Sequence, residues 1–208
     1  YIPRFSRFIL LNPKYEPHDF RQLLWPDFCD VLDYNFGNLI YIGASAGVNC
    51  LELYRSNNIT KLYAYELNEL NRQSLYFNLN AISAEVRMVG VSPLGNDYTA
   101  VNISKSHGSL AISKHKKINS KIIETASIEQ IISSIESGDK SIVFNCNGGE
   151  WELIRSLLSC QVKIKYLIIY FFNTYKPSDA DEINCKLNEK YKFLGKSSAF
   201  EIYELKEV

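Results

Sequence analysis

Short apolar runs rich in β-branched and aromatic residues alternate along this 208-residue chain with longer amphipathic stretches, and this alternation restricts the fold more than any other feature. A strand apolar on both faces must be covered on both faces, which helices between successive parallel strands achieve. Residues 38–43 read as such a strand ending in glycine, and residues 48–56 as a helix with Val48, Leu51 and Tyr54 or Leu53 on one face. A strand over 61–66, a helix over 68–82 with Leu75, Leu79 and Ile82 inward, and a strand over 85–91 follow. Residues 127–135 are helical with Ser127 as N-cap, before a strand at 141–145. A helix over 148–160 carries the stripe Trp151, Ile154, Leu157 and Leu158, and residues 166–172 form a buried central strand. After Pro177, residues 179–191 predict a helix with acids in its first turn. The stretches 191–194 and 200–205 flank Gly195-Lys196-Ser197-Ser198 as a hairpin. The pattern predicts an α/β fold: an open, doubly wound, mostly parallel sheet with a C-terminal antiparallel hairpin.

Residues 1–36 contain Pro3, Pro13, Pro17 and Pro26 among many aromatics and predict an N-terminal packing extension over one sheet face, leaving 37–208 as the main domain. Lys+Arg and Asp+Glu both number 23, so no global charge draws the chain to nucleic acid or an anionic membrane. The longest apolar run, 166–172, is far short of the roughly 20 residues of a membrane span, and no signal-peptide pattern opens the chain; a soluble, cytoplasmic protein is expected. Five scattered cysteines without a CxxC pair suggest neither a disulfide framework nor a zinc site. The chain begins at Tyr1 rather than Met, which admits a longer parent protein with a fused or associated domain.

Three chemistries use a turn such as Gly43-Ala44-Ser45-Ala46-Gly47. A dinucleotide fingerprint needs glycines where Ser45 and Val48 stand. A nucleophile elbow with Ser45 needs earlier sheet strands and a late histidine, and no His follows His115. In the third, the turn of a class I methyltransferase, Gly43 and Gly47 let the backbone approach S-adenosylmethionine while the next helix offers amides to its carboxylate. Glu66 strengthens this reading: it ends the second strand about 20 residues past the turn, where an acid can accept both ribose hydroxyls. Asn68 reads as a helix cap.

The stretch 41–47 resembles the D-x-G-A-x-x-G loop of FkbM-type methyltransferases, Tyr65-Glu66-Leu67-Asn68 resembles their F-E-P-N, and residues 143–150 resemble their K-I-D-V-E-G-A-E. The likeness spans about 38–172. It implies a Rossmann-like domain that binds the donor through Gly43, Ala44, Ser45, Gly47, Glu66 and Leu67 and methylates a hydroxyl of a small-molecule or glycan acceptor, often sugar-derived. Three of the family's acids are replaced by Tyr41, Asn145 and Asn147. Asparagine cannot act as general base and is a poor ligand for a hard cation, so metal-assisted transfer is not expected. Glu150 is retained, and Asn145 and Asn147 can hydrogen-bond an acceptor hydroxyl.

Lys105, His107, Lys114, His115, Lys116 and Lys117 cluster before the helix at 127 and read either as a solvated basic loop or as recognition for a phosphorylated or acidic acceptor, with His107 as base. The cluster lacks interleaved aromatics, which argues against nucleic acid. Two readings result: an O-methyltransferase with catalytic candidates Asn145, Asn147, Glu150 and His107, or a catalytically degenerate module of the same fold, part of a larger glycan-processing protein.

Overall fold

A computed structural model describes residues 34–93, 98–103, 110–112, 120–146, 149–171, 176–197 and 200–207. Five parallel strands form its centre: β1 (Asn35–Ile42), β2 (Asn58–Tyr65), β3 (Ala84–Arg87), β8 (Lys140–Phe144) and β9 (Tyr166–Tyr170). The hairpin β10 (Tyr191–Ser197) and β11 (Phe200–Leu205) completes the sheet, in the order β10-β11-β9-β8-β1-β2-β3, with β11 antiparallel to β9. The first strand lies inside and order reverses across β1 and β8, so this is a doubly wound sheet whose switch point is the β1/β8 pair. With the last strand inserted antiparallel inside the edge, the chain has the Rossmann-like methyltransferase fold.

Helices cover both faces. Alternate residues of β1 show the division: Ile40 and Ile42 belong to one apolar cluster, Leu39 and Tyr41 to the other. The first is capped by α3 (Ile128–Ser133), α4 (Glu150–Ser159) and α5 (Ala180–Lys190), the second by α1 (Val48–Ser56) and α2 (Arg72–Leu79). As expected, Ser127 caps α3: its Oγ accepts the Gln130 amide, and the Gln130 side chain accepts the Ser127 amide. No described helix is long and apolar enough to cross a membrane.

Three expectations need correction. The strand placed at 85–91 is split into β3 and β4 (Gly90–Val91), which lie in different sheets. Between it and α3, where a basic loop was expected, the chain forms β5 (Tyr98–Ile103), β6 (Leu110–Ile112) and β7 (Ser120–Ala126), a second sheet of order β4-β7-β5-β6. The turn predicted at 195–198 begins later: β10 continues through a register shift near Gly195 as far as Ser197, because that glycine relaxes the ladder instead of ending it. The basic residues at 105, 107 and 114–117, and residues 1–33, lie outside the described residues.

Candidate functional site

The site is built where β1 and β2 end. After Ile42 the chain turns through Gly43 (φ 84°), Ser45 (φ 50°) and Gly47 (φ 82°), and α1 begins at Val48. The conformation requires glycine at both ends of the turn. A Cβ on Gly43 would overlap the Asn145 carbonyl oxygen, so the turn can run against the end of β8 only without a side chain there. A Cβ on Gly47 would meet the Leu75 side chain at 2.8 Å.

The amides of Gly43 and Ala44 both donate to the Tyr65 carbonyl oxygen at 3.0 Å, fastening the turn to the end of β2. The next amide is handled differently: Ser45 N–H donates to Glu66 Oε2 at 2.6 Å, and Asn68 N–H donates to Glu66 Oε1 at 2.6 Å. Donors from Leu67 and Asn71 also reach the carboxylate. Glu66 is 7% exposed, and burial lifts its carboxyl above the usual range while these hydrogen bonds pull it down; the net direction is upward. Burial, followed by the Glu66 charge, likewise raises Cys50, which stays a thiol.

α1 has neither a side-chain cap nor an acid in its first turn, and its N-terminal amides, at the crest, are donors of the kind a carboxylate accepts from. Thus Gly43, Ala44, Ser45, Gly47, Glu66 and Leu67, singled out in the sequence, are brought together at the β1/β2 side of the crest.

Across the switch point, Asn145 N–H donates to the Ile42 carbonyl oxygen at 2.9 Å, and Asn145 Nδ2 donates to the Tyr41 hydroxyl at 3.2 Å. Tyr41 is fully buried, with its ring in the α1/α2 cluster and its hydroxyl at the crest. Glu150 is 1% exposed and accepts the Cys146 amide at 2.7 Å, a clasp across the start of α4. Its negative charge, after burial, holds the Cys146 thiol protonated. Asn145 and Glu150 therefore stand on the β8 side of the crest, whereas Asn147 and His107 lie outside the described residues.

Sequence reasoning missed a polar seam on α2. Asn71, its N-cap, and Ser74 and Asn78 within it are 7%, 3% and 3% exposed, and Asn78 Nδ2 donates to the Ala46 carbonyl oxygen at 2.8 Å, clamping the second half of the turn. The signal was available as small polar residues at helical spacing beside the expected Leu75 and Leu79 stripe. Asn68 is the cap expected of it: its side chain accepts the Leu70 amide at 3.1 Å.

No protein-family model matches the chain, and no curated protein matches it in sequence. Similar solved structures include Sp1610 of Streptococcus pneumoniae, a candidate tRNA (m1A22) methyltransferase in complex with S-adenosyl-L-methionine, at 15% identity over 91% of this chain and 73% of that one (TM-score 0.49). The ribosomal protein L11 methylase of Lactobacillus delbrueckii subsp. bulgaricus is 13% identical over 100% of this chain and 90% of that one (TM-score 0.48). The precorrin-6y C5,15-methyltransferase of Geobacter metallireducens GS-15 is 12% identical over 95% of each chain (TM-score 0.44). Strand order, not these distant likenesses, fixes the fold, and the FkbM-type resemblance is carried by its three motifs alone.

Proposed function

We propose that the chain is an S-adenosylmethionine-dependent methyltransferase acting on a hydroxyl of a small, sugar-derived acceptor. One observation carries the reading: the Glu66 carboxylate and the open N-terminus of α1 meet at the same end of the sheet, beside the switch point. These two groups fit the donor's ribose diol and amino-acid carboxylate by charge and hydrogen-bonding type. When bound, the donor would supply an electrophilic methyl on sulfur, whose transfer to an acceptor hydroxyl oxygen would break the carbon–sulfur bond and release the hydroxyl proton to water.

The protein's own contribution is positional. Glu66 would hold the diol in exchange for some of its backbone donors, while its contact with the Ser45 amide sets the turn relative to it. Asn145 offers a carbonyl oxygen to the acceptor while its Nδ2 rests on Tyr41. Glu150, engaged with Cys146, shapes the β8 loop; transfer then depends chiefly on in-line placement, the largest effect available without a base. The hydroxyl acceptor rests on the motif at 143–150, and the reading places the protein in the cytoplasm.

A second reading, a non-catalytic module of the same fold, is favoured by Tyr41 and Asn145 bonding to each other where two acids stand in the family it resembles. Calorimetric titration with S-adenosylmethionine and S-adenosylhomocysteine tests the first reading, with saturable heat expected and no heat at millimolar ligand contradicting it. Labelled-methyl transfer to sugars, nucleosides and RNA separates the two readings and identifies the acceptor class: binding without transfer to any of them supports the module.

A further inference from the structure

Of the donors that meet on Glu66, those of Ser45, Leu67 and Asn68 are main-chain amides, and that of Asn71 is a side chain. The main-chain amides belong to the turn after β1 and to the loop leaving β2. Asn71 stands apart from both. It precedes α2, and its φ of −86° and ψ of −12° carry the short helical turn Glu69–Asn71 straight into that helix. Asparagine ahead of a helix ordinarily directs its side chain at the amides of the first turn. Asn71 makes no such bond to α2; its side chain reaches the carboxylate instead.

The root of this side chain is firmly held. Asn71 N–H donates to the Asn68 carbonyl oxygen at 2.9 Å, and the Asn68 side chain accepts the Leu70 amide at 3.1 Å, so the path from Glu66 to Asn71 closes on itself. Further along the same buried seam, Asn78 holds the turn after β1 through the Ala46 carbonyl oxygen. Asn71 thus approaches Glu66 from the element that clamps the turn without being part of the turn. A diol that displaces main-chain donors would leave a buried carboxylate short of partners, which is costly for the charged form. A donor rooted on α2 is independent of the amides exchanged. The titratable groups that bear on Glu66 from neighbouring elements are Cys50 of α1 and Cys146 after β8, both held as neutral thiols by burial, so the ionised form is favoured by hydrogen bonds.

We propose that Asn71 is the positioning residue of the donor site, its side-chain amide keeping the Glu66 carboxylate aimed at the ribose diol while the ligand takes the place of main-chain donors. The assignment rests on the methyltransferase reading above. Unfolding of the ligand-free chain over a series of pH values, and calorimetric titration with S-adenosylhomocysteine over the same range, test it in Asn71→Ala, with Ser74→Ala as control at another buried position of the seam. Removing the amide lifts the folded-state value of Glu66 further, so the loss of stability with rising pH should extend about one unit higher. The rise in ligand affinity should move by the same amount, with about tenfold weaker binding below it. In a Glu66→Gln background, Asn71→Ala should leave the stability profile where it was. Ser74→Ala should lower stability at every pH and move neither midpoint. The same behaviour in Asn71→Ala would show a purely structural asparagine and overturn the proposal. If Asn71→Ala does not fold, NMR of the unsubstituted chain decides: the Asn71 side-chain amide protons should titrate with the Glu66 carboxyl carbon at one midpoint and keep their downfield shift with S-adenosylhomocysteine bound. Separate midpoints, or loss of that shift on binding, overturn the assignment. Absence of binding by the unsubstituted chain refutes the methyltransferase reading and the proposal with it, whereas normal binding with unmoved midpoints in Asn71→Ala refutes the proposal alone.

Discussion

On the β1/β2 side of the crest, Glu66 joins segments far apart in the chain, taking the amide of Ser45 on one oxygen and that of Asn68 on the other. On the β8 side, Glu150 accepts the amide of Cys146, four residues before it. Both carboxylates are buried and both accept backbone amides, the first from two separate segments and the second from the residue four positions before it, just ahead of α4. A group that collects donors from two elements can exchange some of them for a ligand and still hold the turn. A group that accepts an amide of its own loop ties that loop to the start of the helix.

The largest effect should therefore come from Glu66→Ala. It strands several buried donors and should cost about 4 kcal/mol in denaturant unfolding, with loss of measurable donor binding. Gly43→Ala should cost about 3 kcal/mol, because its φ of 84° suits only glycine and its new Cβ would strike the Asn145 carbonyl. Glu150→Gln keeps an acceptor for the Cys146 amide and should cost about 1 kcal/mol while leaving donor affinity unchanged. A large loss of affinity in that variant would erase the contrast between the two carboxylates. Tyr41→Phe removes one neutral hydrogen bond to Asn145 and should cost about 1 kcal/mol or less.

Acid dependence sharpens the same contrast. Burial lifts the folded-state value of Glu66 above its ordinary one, so folded protein retains a proton that the unfolded chain has released. The stability contributed by this group is present below the ordinary carboxylate range and is lost as pH rises through the folded value. Donor affinity should run oppositely, rising over that window as the carboxylate ionises to accept the diol. Glu66→Gln should flatten the stability profile, which unfolding at a series of pH values measures.

Much of this architecture was legible in the sequence because it is governed by local periodicity. α1 runs over the predicted 48–56, and Ser127 caps α3 as its spacing with Gln130 requires. The crest partners Gly43, Gly47 and Glu66 were legible as well, since a glycine turn and a strand-end acid have fixed places in a doubly wound sheet. Less visible was anything decided by contacts remote in sequence. The strands β5 to β7 form their sheet by pairing with one another, and that pairing depends on contacts remote in sequence more than on any single pattern. The four donors around Glu66 and the Asn78 clamp come from three separate elements, and no spacing rule announces them. The sequence shows that an acid is retained at position 150, but not that it accepts the Cys146 amide.

A crystal structure of the full chain with S-adenosylhomocysteine tests the central claim most directly. It should place the ribose hydroxyls within about 2.6–3.2 Å of the Glu66 oxygens, with the amino-acid carboxylate on the first amides of α1. A nucleoside bound elsewhere, with Glu66 still holding its protein donors on both oxygens, would contradict it.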